Sequence, residues 1–239
     1  DHFELPKVGD LLNHFSGKKF FGEVDLFEAF LQFEVEEDSR KYTAFTWGQK
    51  QFKCCPFGIK FIPSHFQRYI SQLFSDMPFA QPFIDNIAFA SDSWEQHLLH
   101  SQLIIDRLNS VQLKIKPGSV NLGHHQIKIL GHQVNEFGIG MDPAKVIDIK
   151  NWDLPADGAN LRAFLGFANF LRDHIRHFAD ISAPLEKLKM TNGPIAWTEP
   201  LKQRYELLKS AIMRAPWLKH IDFTKRLVIA CDASNSGIG

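Results

Sequence analysis

Pro78-Phe79-Ala80-Gln81-Pro82-Phe83-Ile84-Asp85-Asn86-Ile87-Ala88-Phe89-Ala90-Ser91 is the stretch on which the reading of this chain turns. Apolar residues run up to Asp85-Asn86 and resume beyond it, the pattern of a β-hairpin with an Asp at its tip. Asp and Asn suit such turns because their side chains bond nearby backbone, and that alone accounts for the pair. A second stretch adds to it. Phe20-Phe21-Gly22-Glu23-Val24-Asp25-Leu26 also carries apolar residues up to an Asp. Two strands that each deliver a carboxylate to one end of a sheet can hold two divalent cations for phosphoryl transfer.

Asp25-Leu26-Phe27-Glu28-Ala29-Phe30, Arg40-Lys41-Tyr42-Thr43-Ala44-Phe45, Pro56-Phe57-Gly58 and Phe83-Ile84-Asp85-Asn86 follow one another along the chain. In that order they resemble the motifs of reverse transcriptases from LTR retroelements of the gypsy type. The likeness continues through Ile129-Leu130-Gly131-His132 and Leu161-Arg162-Ala163-Phe164-Leu165-Gly166 to Asp232-Ala233-Ser234, and so covers nearly the whole chain.

The resemblance implies an α+β fold, with a palm of antiparallel sheet carrying helices on one face. Partial fingers, a helical thumb and a C-terminal α/β connection or ribonuclease H-like start complete it. The implied divisions are fingers and palm over 1–135, thumb over 136–185, and connection over 186–239. The implied activity is RNA-directed DNA polymerisation within a retrotransposon polyprotein, using RNA or DNA template with primer and deoxynucleoside triphosphates. Asp25 and Asp85 become ligands of two Mg²⁺ ions. The family pattern at the tip is Tyr-x-Asp-Asp, so Asn86 stands where a further carboxylate belongs, and the charge facing two dications drops by one. The alternative is a catalytically inactive scaffold that binds nucleic acid or a protein partner.

Further roles come from the same resemblance. Phe30 sits at the position that packs under the nucleotide sugar and excludes a 2′-hydroxyl; a core Phe is the other reading. Phe57 and Gly58 fall in the nucleotide-binding loop, and Leu130, Gly131 and His132 in the turn that grips the primer end. Asp232 matches the first carboxylate of a ribonuclease H-like domain. Ser119 stands where the family usually has Lys. Family members carry a basic strand-turn-strand ahead of the equivalent of residue 1, so by this resemblance the chain is expected to be a piece of a longer polyprotein. An intracellular setting, in a cytoplasmic retroelement particle or the nucleus, is expected.

Composition is compatible with these readings. The 239 residues include 44% hydrophobic and 23% charged, a globular balance. Net charge is zero, which gives no bulk argument for nucleic acid. Locally the segment 39–75 holds Arg40, Lys41, Lys60 and Arg68 among aromatic residues and no Asp or Glu. That is either a nucleic-acid contact or a solvated basic face over an aromatic core. Cys54, Cys55 and Cys231 form neither a disulfide framework nor a Cys-x-x-Cys metal site, and a reducing compartment fits. No run approaches the roughly 20 apolar residues of a membrane span, so no membrane partner is expected.

In chain order, the spacing predicts a helix over 7–15, a strand ending at Asp25, and a half-buried strand over Leu31–Glu36. Strands at Tyr42–Phe45 and Gln51–Cys54 and a helix from Pro63 follow. Ser93-Trp94-Glu95-Gln96 is a capping-box pattern opening a helix with Leu98, Ile104, Ile105, Leu108 and Val111 on its apolar face. His97 and His100 lie on that helix with no third ligand nearby, and with His124 and His125 they read as surface histidines. Asn151–Ala159 reads as a linker. Leu161, Phe164, Leu165, Ala168, Leu171 and Ile175 mark a helix, thumb or ordinary subdomain. A last helix opens at Thr198, and Leu227–Cys231 reads as an apolar strand.

Overall fold

The structure, a computed structural model, describes residues 5–220, 225–228, 231, 233–234 and 237–238. Packing divides the chain into two units, residues 1–130 with 134–137, and residues 131–133 with 138–239.

The first unit is built on four antiparallel strands in the order β2-β3-β1-β4: β1 (Phe20–Leu26), β2 (Ala80–Phe83), β3 (Asn86–Ser91) and β4 (Ile115–His124). Helices α1 (Val8–His14), α2 (Ile62–Leu73) and α3 (Trp94–Ser110) accompany it. Strand residues alternate between faces. Val24, Leu26, Ile87 and Phe89 point into a core shared with Phe66 and Ile70 of α2 and Ile104 and Leu108 of α3. Glu23, Asp25 and Asn86 take the other face. Gly22 is paired with Phe89, and the Phe89 ring fills the space a Cβ at Gly22 would need. This mixed sheet-and-helix arrangement is the α+β class expected.

The hairpin forms as the sequence predicts, with β2 and β3 joined by Ile84-Asp85 and Phe83 opposite Asn86. The cap forms too. Ser93 Oγ accepts from Gln96 N at 3.2 Å, while Gln96 Oε1 reaches back to the amide of Asp92 at 2.9 Å. Other expectations are corrected. Leu31–Glu36 is no ladder strand: the backbone turns through a short 3-10 helix at Ala29–Gln32, and only Glu34 has a bridge partner, Cys54. Gln32 anchors that turn, donating to the carbonyls of Phe27 and Lys114 and accepting from Lys114 N. The alternation is instead met by Phe33 packing edge-on against Phe66. Tyr42 and Thr43 end another 3-10 helix, and the predicted strands Tyr42–Phe45 and Gln51–Cys54 form no ladder: Phe45 bridges Lys50 and Cys54 bridges Glu34.

His97 and His100 are not on the surface; they are 0% and 9% exposed. With Ser101, Ile104 and Leu108 they line the buried stripe of α3, whereas Leu98 faces outward. Each ring lies flat on a Phe, His97 on Phe89 at 4.9 Å and His100 on Phe79 at 3.6 Å. Their protons follow from their partners. Gly123 N–H donates to His97 Nε2 at 3.1 Å, so His97 carries its proton on Nδ1 and donates it to Ser91 Oγ at 3.1 Å. Ser91 then donates to His100 Nδ1 at 2.9 Å, and the Ala90 carbonyl engages the same imidazole. His124 and His125 are exposed, as expected.

The second unit contains β7 (Gly138–Met141) antiparallel to β8 (Leu218–Lys219), and helices α4 (Pro143–Lys150), α5 (Gly158–Phe170), α6 (Phe178–Glu186) and α7 (Glu199–Met213). Strands β5 (Gln126–Ile129) and β6 (His132–Asn135) lie where the chain leaves the first unit. Leu161, Phe164, Leu165, Leu185, Tyr205 and Leu208 share one core. Asp157 caps α5, its carboxylate accepting from Asn160 N at 2.8 Å. The supposed linker at Asn151–Ala159 is tied down and runs into α5. Trp197 Nε1 donates to the Pro155 carbonyl at 2.7 Å and Tyr205 OH to that of Asp153 at 3.0 Å. Burial, with Glu206 and Asp153 nearby, pushes the Tyr205 phenol up to about 12. At the expected Leu227–Cys231 strand, the described residues Leu227, Val228 and Cys231 belong to no strand and are exposed. Among the described residues no helix is long and apolar enough to cross a membrane.

Burial, then the neighbouring His100, lowers His97 to about 4, and burial also lowers His100, with Lys18 and Asp92 the charged groups near it. Both are held neutral in the fold, so this stability is complete above the unfolded value near 6.5 and is lost as pH falls toward 4. Chemical denaturation at pH 7 and pH 4 is expected to differ by on the order of 3 kcal/mol from His97 alone, and His97→Leu should flatten that slope. An unchanged slope in the variant sinks the assignment.

Candidate active site

Asp25 and Asn86 are direct partners across the β1–β3 ladder, and Asp85 precedes Asn86 at the turn. The turn is bound to β1 by Leu26 N–H donating to the Asp85 carbonyl at 2.7 Å. Antiparallel register therefore delivers both carboxylates to one end of the sheet. Burial, and next the Asp85 charge, raise the Asp25 carboxyl above its ordinary value; Lys116 partly opposes them. A group whose charged form is penalised by a like charge beside it is suited to take up a cation.

Asn86 does not present an oxygen to Asp25. Its Nδ2 donates to Asp25 Oδ1 at 3.0 Å and also to Glu23 Oε1. Glu23 lies two residues before Asp25, on the same strand face, so three carboxylates and one amide meet here. Ser119 sits close by, its hydroxyl donating to the Asp25 backbone carbonyl at 3.3 Å. Among the described residues no group of three or more His, Cys, Asp or Glu forms a ready metal cage. The donor chemistry nevertheless suits Mg²⁺, which is held by one or two carboxylates together with substrate phosphates rather than by an all-protein cage.

The turn itself is strained. Ile84 has φ of 53°, a left-handed conformation that costs a β-branched residue on the order of 1–3 kcal/mol. Its amide donates to Gln67 Oε1 at 2.6 Å, and Gln67 Nε2 donates to the Pro82 carbonyl at 2.9 Å. Gln67 is fully buried on α2.

The other predicted residues divide. Phe30 and Phe57 come together, ring centres 5.7 Å apart, with Phe30 edge-on to Phe66 at 5.4 Å. Phe30 is half-buried against the first core, Phe57 is 65% exposed, and Gly58 takes φ of 91° in an open turn. Arg40 is engaged locally, donating to the Val35 carbonyl at 2.9 Å and lying 3.8 Å from Glu34. Lys41 lies over the Tyr42 ring, Lys60 is exposed, and Arg68 is half-buried. Leu130 and Gly131 both have positive φ, 49° and 81°, a tight turn between β5 and β6. Leu130 lines a small cleft with Phe83 and Asn86. His132 is buried, its ring 4.6 Å from Phe170 and 6.1 Å from His174. Asp232 lies outside the described residues.

Sequence reasoning missed Gln67 and Glu23. Both carried a signal. Gln67 is a polar residue on the stripe of Ile70 and Phe74, so it needs buried partners. Glu23 is two residues from Asp25, and strand periodicity alone puts both on one face.

The structure thus brings a pair of carboxylates to one end of an antiparallel sheet, at a strained hairpin, with helices α2 and α3 packed on the sheet's apolar face. Residues 2–134 match the family model described as reverse transcriptase (RNA-dependent DNA polymerase). The chain belongs to that family, in the form found in retrotransposon polyproteins. Residues 197–239 match the RNase H-like domain found in reverse transcriptase.

Among its relatives is the retrovirus-related Pol polyprotein from transposon 412 of Drosophila melanogaster. It is 32% identical over an alignment of 244 positions, gaps included, that covers all of this chain and 20% of that protein. The transposon Tf2-7 polyprotein of Schizosaccharomyces pombe is 27% identical over an alignment of 241 positions, gaps included, that covers 99% of this chain and 18% of that protein. The chain therefore spans about a fifth of the curated relatives it matches. Among solved structures, the foamy viral protease-reverse transcriptase in complex with dsDNA has a TM-score of 0.85 at 24% identity, over 98% of this chain and 50% of that one. The same viral protein with an RNA/DNA hybrid gives 0.83 at 24% identity, over 91% and 30%.

Replacing the amide tests the charge balance. Asn86→Asp removes the donor that separates Glu23 from Asp25 and adds a fourth carboxylate. The metal-free melting temperature at pH 7 should fall by about 2–6 °C, and less at pH 4, where carboxylates protonate. Adding Glu23→Gln should recover part of the loss, and Mg²⁺ should recover more. Equal melting of native and Asn86→Asp chains at pH 7 overturns this account.

Proposed function

We propose that this chain performs RNA-directed DNA polymerisation, adding deoxynucleotides to a primer 3′-hydroxyl on an RNA or DNA template. The observation that carries the reading is the pair Asp25 and Asp85, electrostatically coupled at one sheet end. These two carboxylates would hold two Mg²⁺ ions, which when bound activate the primer hydroxyl and neutralise charge on the triphosphate. Asn86 orients Asp25 through its amide. Phe30, with Phe57 and Gly58 beside it, bounds the nucleotide sugar. Leu130, Gly131 and His132 form the turn nearest the primer end. Arg40, Lys41, Lys60 and Arg68 supply positive charge toward nucleic-acid phosphates, Arg40 with its charge shared by Glu34.

In this proposal residues 1–135 act as partial fingers and palm, 136–185 as thumb and 186–239 as connection. Asp232 is the first carboxylate of the ribonuclease H-like start. The activity belongs inside a cell, in a retroelement particle or the nucleus. Support comes from the family match, and from complexes of duplex DNA and RNA/DNA hybrid with proteins of the same fold.

Primer extension on a poly-A template with Mg²⁺ tests it. The native chain should extend, and Asp25→Asn should lower the rate at least about 100-fold. Phe30→Ala should admit ribonucleotides at a modest stability cost, below the about 3–5 kcal/mol of a fully buried Phe. Template-primer binding without extension by the native chain assigns the scaffold role instead.

A further inference from the structure

We propose that Gln67 is the positioning residue for Asp85, and that α2 fixes the catalytic turn through this one buried amide. The proposal rests on the polymerase reading for its catalytic consequence and on geometry for the clamp itself. The two-residue turn Ile84-Asp85 has neither Gly nor Asn at Ile84, although Ile84 adopts the left-handed backbone at φ of 53°. Two-residue hairpin turns use Gly, Asn or Asp there because other residues resist it. The turn is held from outside.

Gln67 is the outside support. Its Oε1 accepts from Ile84 N at 2.6 Å and its Nε2 donates to the Pro82 carbonyl at 2.9 Å, so one side chain grips the backbone on both sides of Phe83. Nε2 also donates to Ser71 Oγ at 3.1 Å. The side chain is 0% exposed, so neither of its polar groups has water as an alternative partner. Only an uncharged side chain with a donor and an acceptor side by side meets both demands. From the other side, Leu26 N holds the Asp85 carbonyl. Asp85 thus takes its place between β1 and α2, and α2 also carries Phe66, against which Phe30 packs.

Amide hydrogen exchange on the 239-residue chain tests the clamp. Gln67→Met keeps the volume and removes both bonds. Ile84 exchange should rise about 10–100-fold relative to Ile87 and Phe89, amides of the adjacent strand. Ile70→Val, which trims the same helix without touching the turn, should leave that ratio unchanged. Gln67→Glu supplies a rescue that depends on pH. Burial raises its carboxyl pKa, and while protonated it both donates and accepts as Gln does. Corrected for intrinsic exchange, Ile84 protection should be near native at pH 6; at pH 8.5 the carboxylate still accepts from Ile84 N and only the bond to the Pro82 carbonyl is lost, so protection should fall by less than in Gln67→Met. Unchanged Ile84 protection in Gln67→Met, or a uniform loss matched by Ile70→Val, overturns the clamp.

Primer extension by Gln67→Met reads the catalytic consequence. kcat should fall about 10-fold or more while the nucleotide KM moves less than about 3-fold, as expected when a reacting group is misplaced and substrate binding is left intact. An unchanged kcat in a variant with a loosened turn overturns the positioning role. A native chain that extends no primer removes the polymerase reading instead, and the exchange ratio then decides the clamp by itself.

Discussion

The antiparallel ladder between β1 and β3 sets everything else in the first unit. Its register pairs Asp25 with Asn86 and Gly22 with Phe89, and it fixes which face each residue takes. A slip of one residue would send Asp25 into the apolar core and Val24 out of it. The register is secured because Val24, Leu26, Ile87 and Phe89 all lose solvent against α2 and α3, burying several side chains that each contribute about 1.5–3 kcal/mol. The same packing that makes the core therefore brings the carboxylates together, where like charges would otherwise keep apart.

Asn86 stands, in the proposed site, where the Tyr-x-Asp-Asp pattern of the resembled motif has a carboxylate. An amide in place of a carboxylate lowers the negative charge facing a cation, but here it also supplies two hydrogen-bond donors. Those donors hold Glu23 and Asp25 at one end of the sheet without a metal. The site is thus partly neutralised from within, and any cation entering it competes with the Asn86 amide for Asp25.

The parts of the fold legible in the sequence were those in which a local pattern and the tertiary demand agree. The hairpin at Ile84-Asp85, the strand ending at Asp25 and the cap at Ser93 are of this kind. Leu31–Glu36 misled because alternation marks two faces without supplying a ladder partner, and Gln32 and Phe33 satisfied the pattern by other means. His97 and His100 are buried because positions 97, 100, 101, 104 and 108 form one helical stripe, a spacing that outweighs the polarity of the residue type. At the proposed site, motif order points to Asp25, Asp85 and Phe30, and the ladder register accounts for Asp25 and Asp85 lying at one sheet end. Gln67 and Glu23 were not singled out, since one bonds to residues 15 and 17 positions away and the other to one 63 away.

Gly22 and Phe89 carry a consequence for how this sequence can drift. The ring of one occupies the space that a side chain at the other would need, across 67 positions of chain but one rung of the ladder. Neither residue is free to change alone. A methyl group at 22 needs a smaller side chain at 89, and a smaller side chain at 89 alone opens a void beneath the sheet. Substitution at these two positions is a joint event, and a lineage holding one half of the exchange has a damaged sheet until the second arrives.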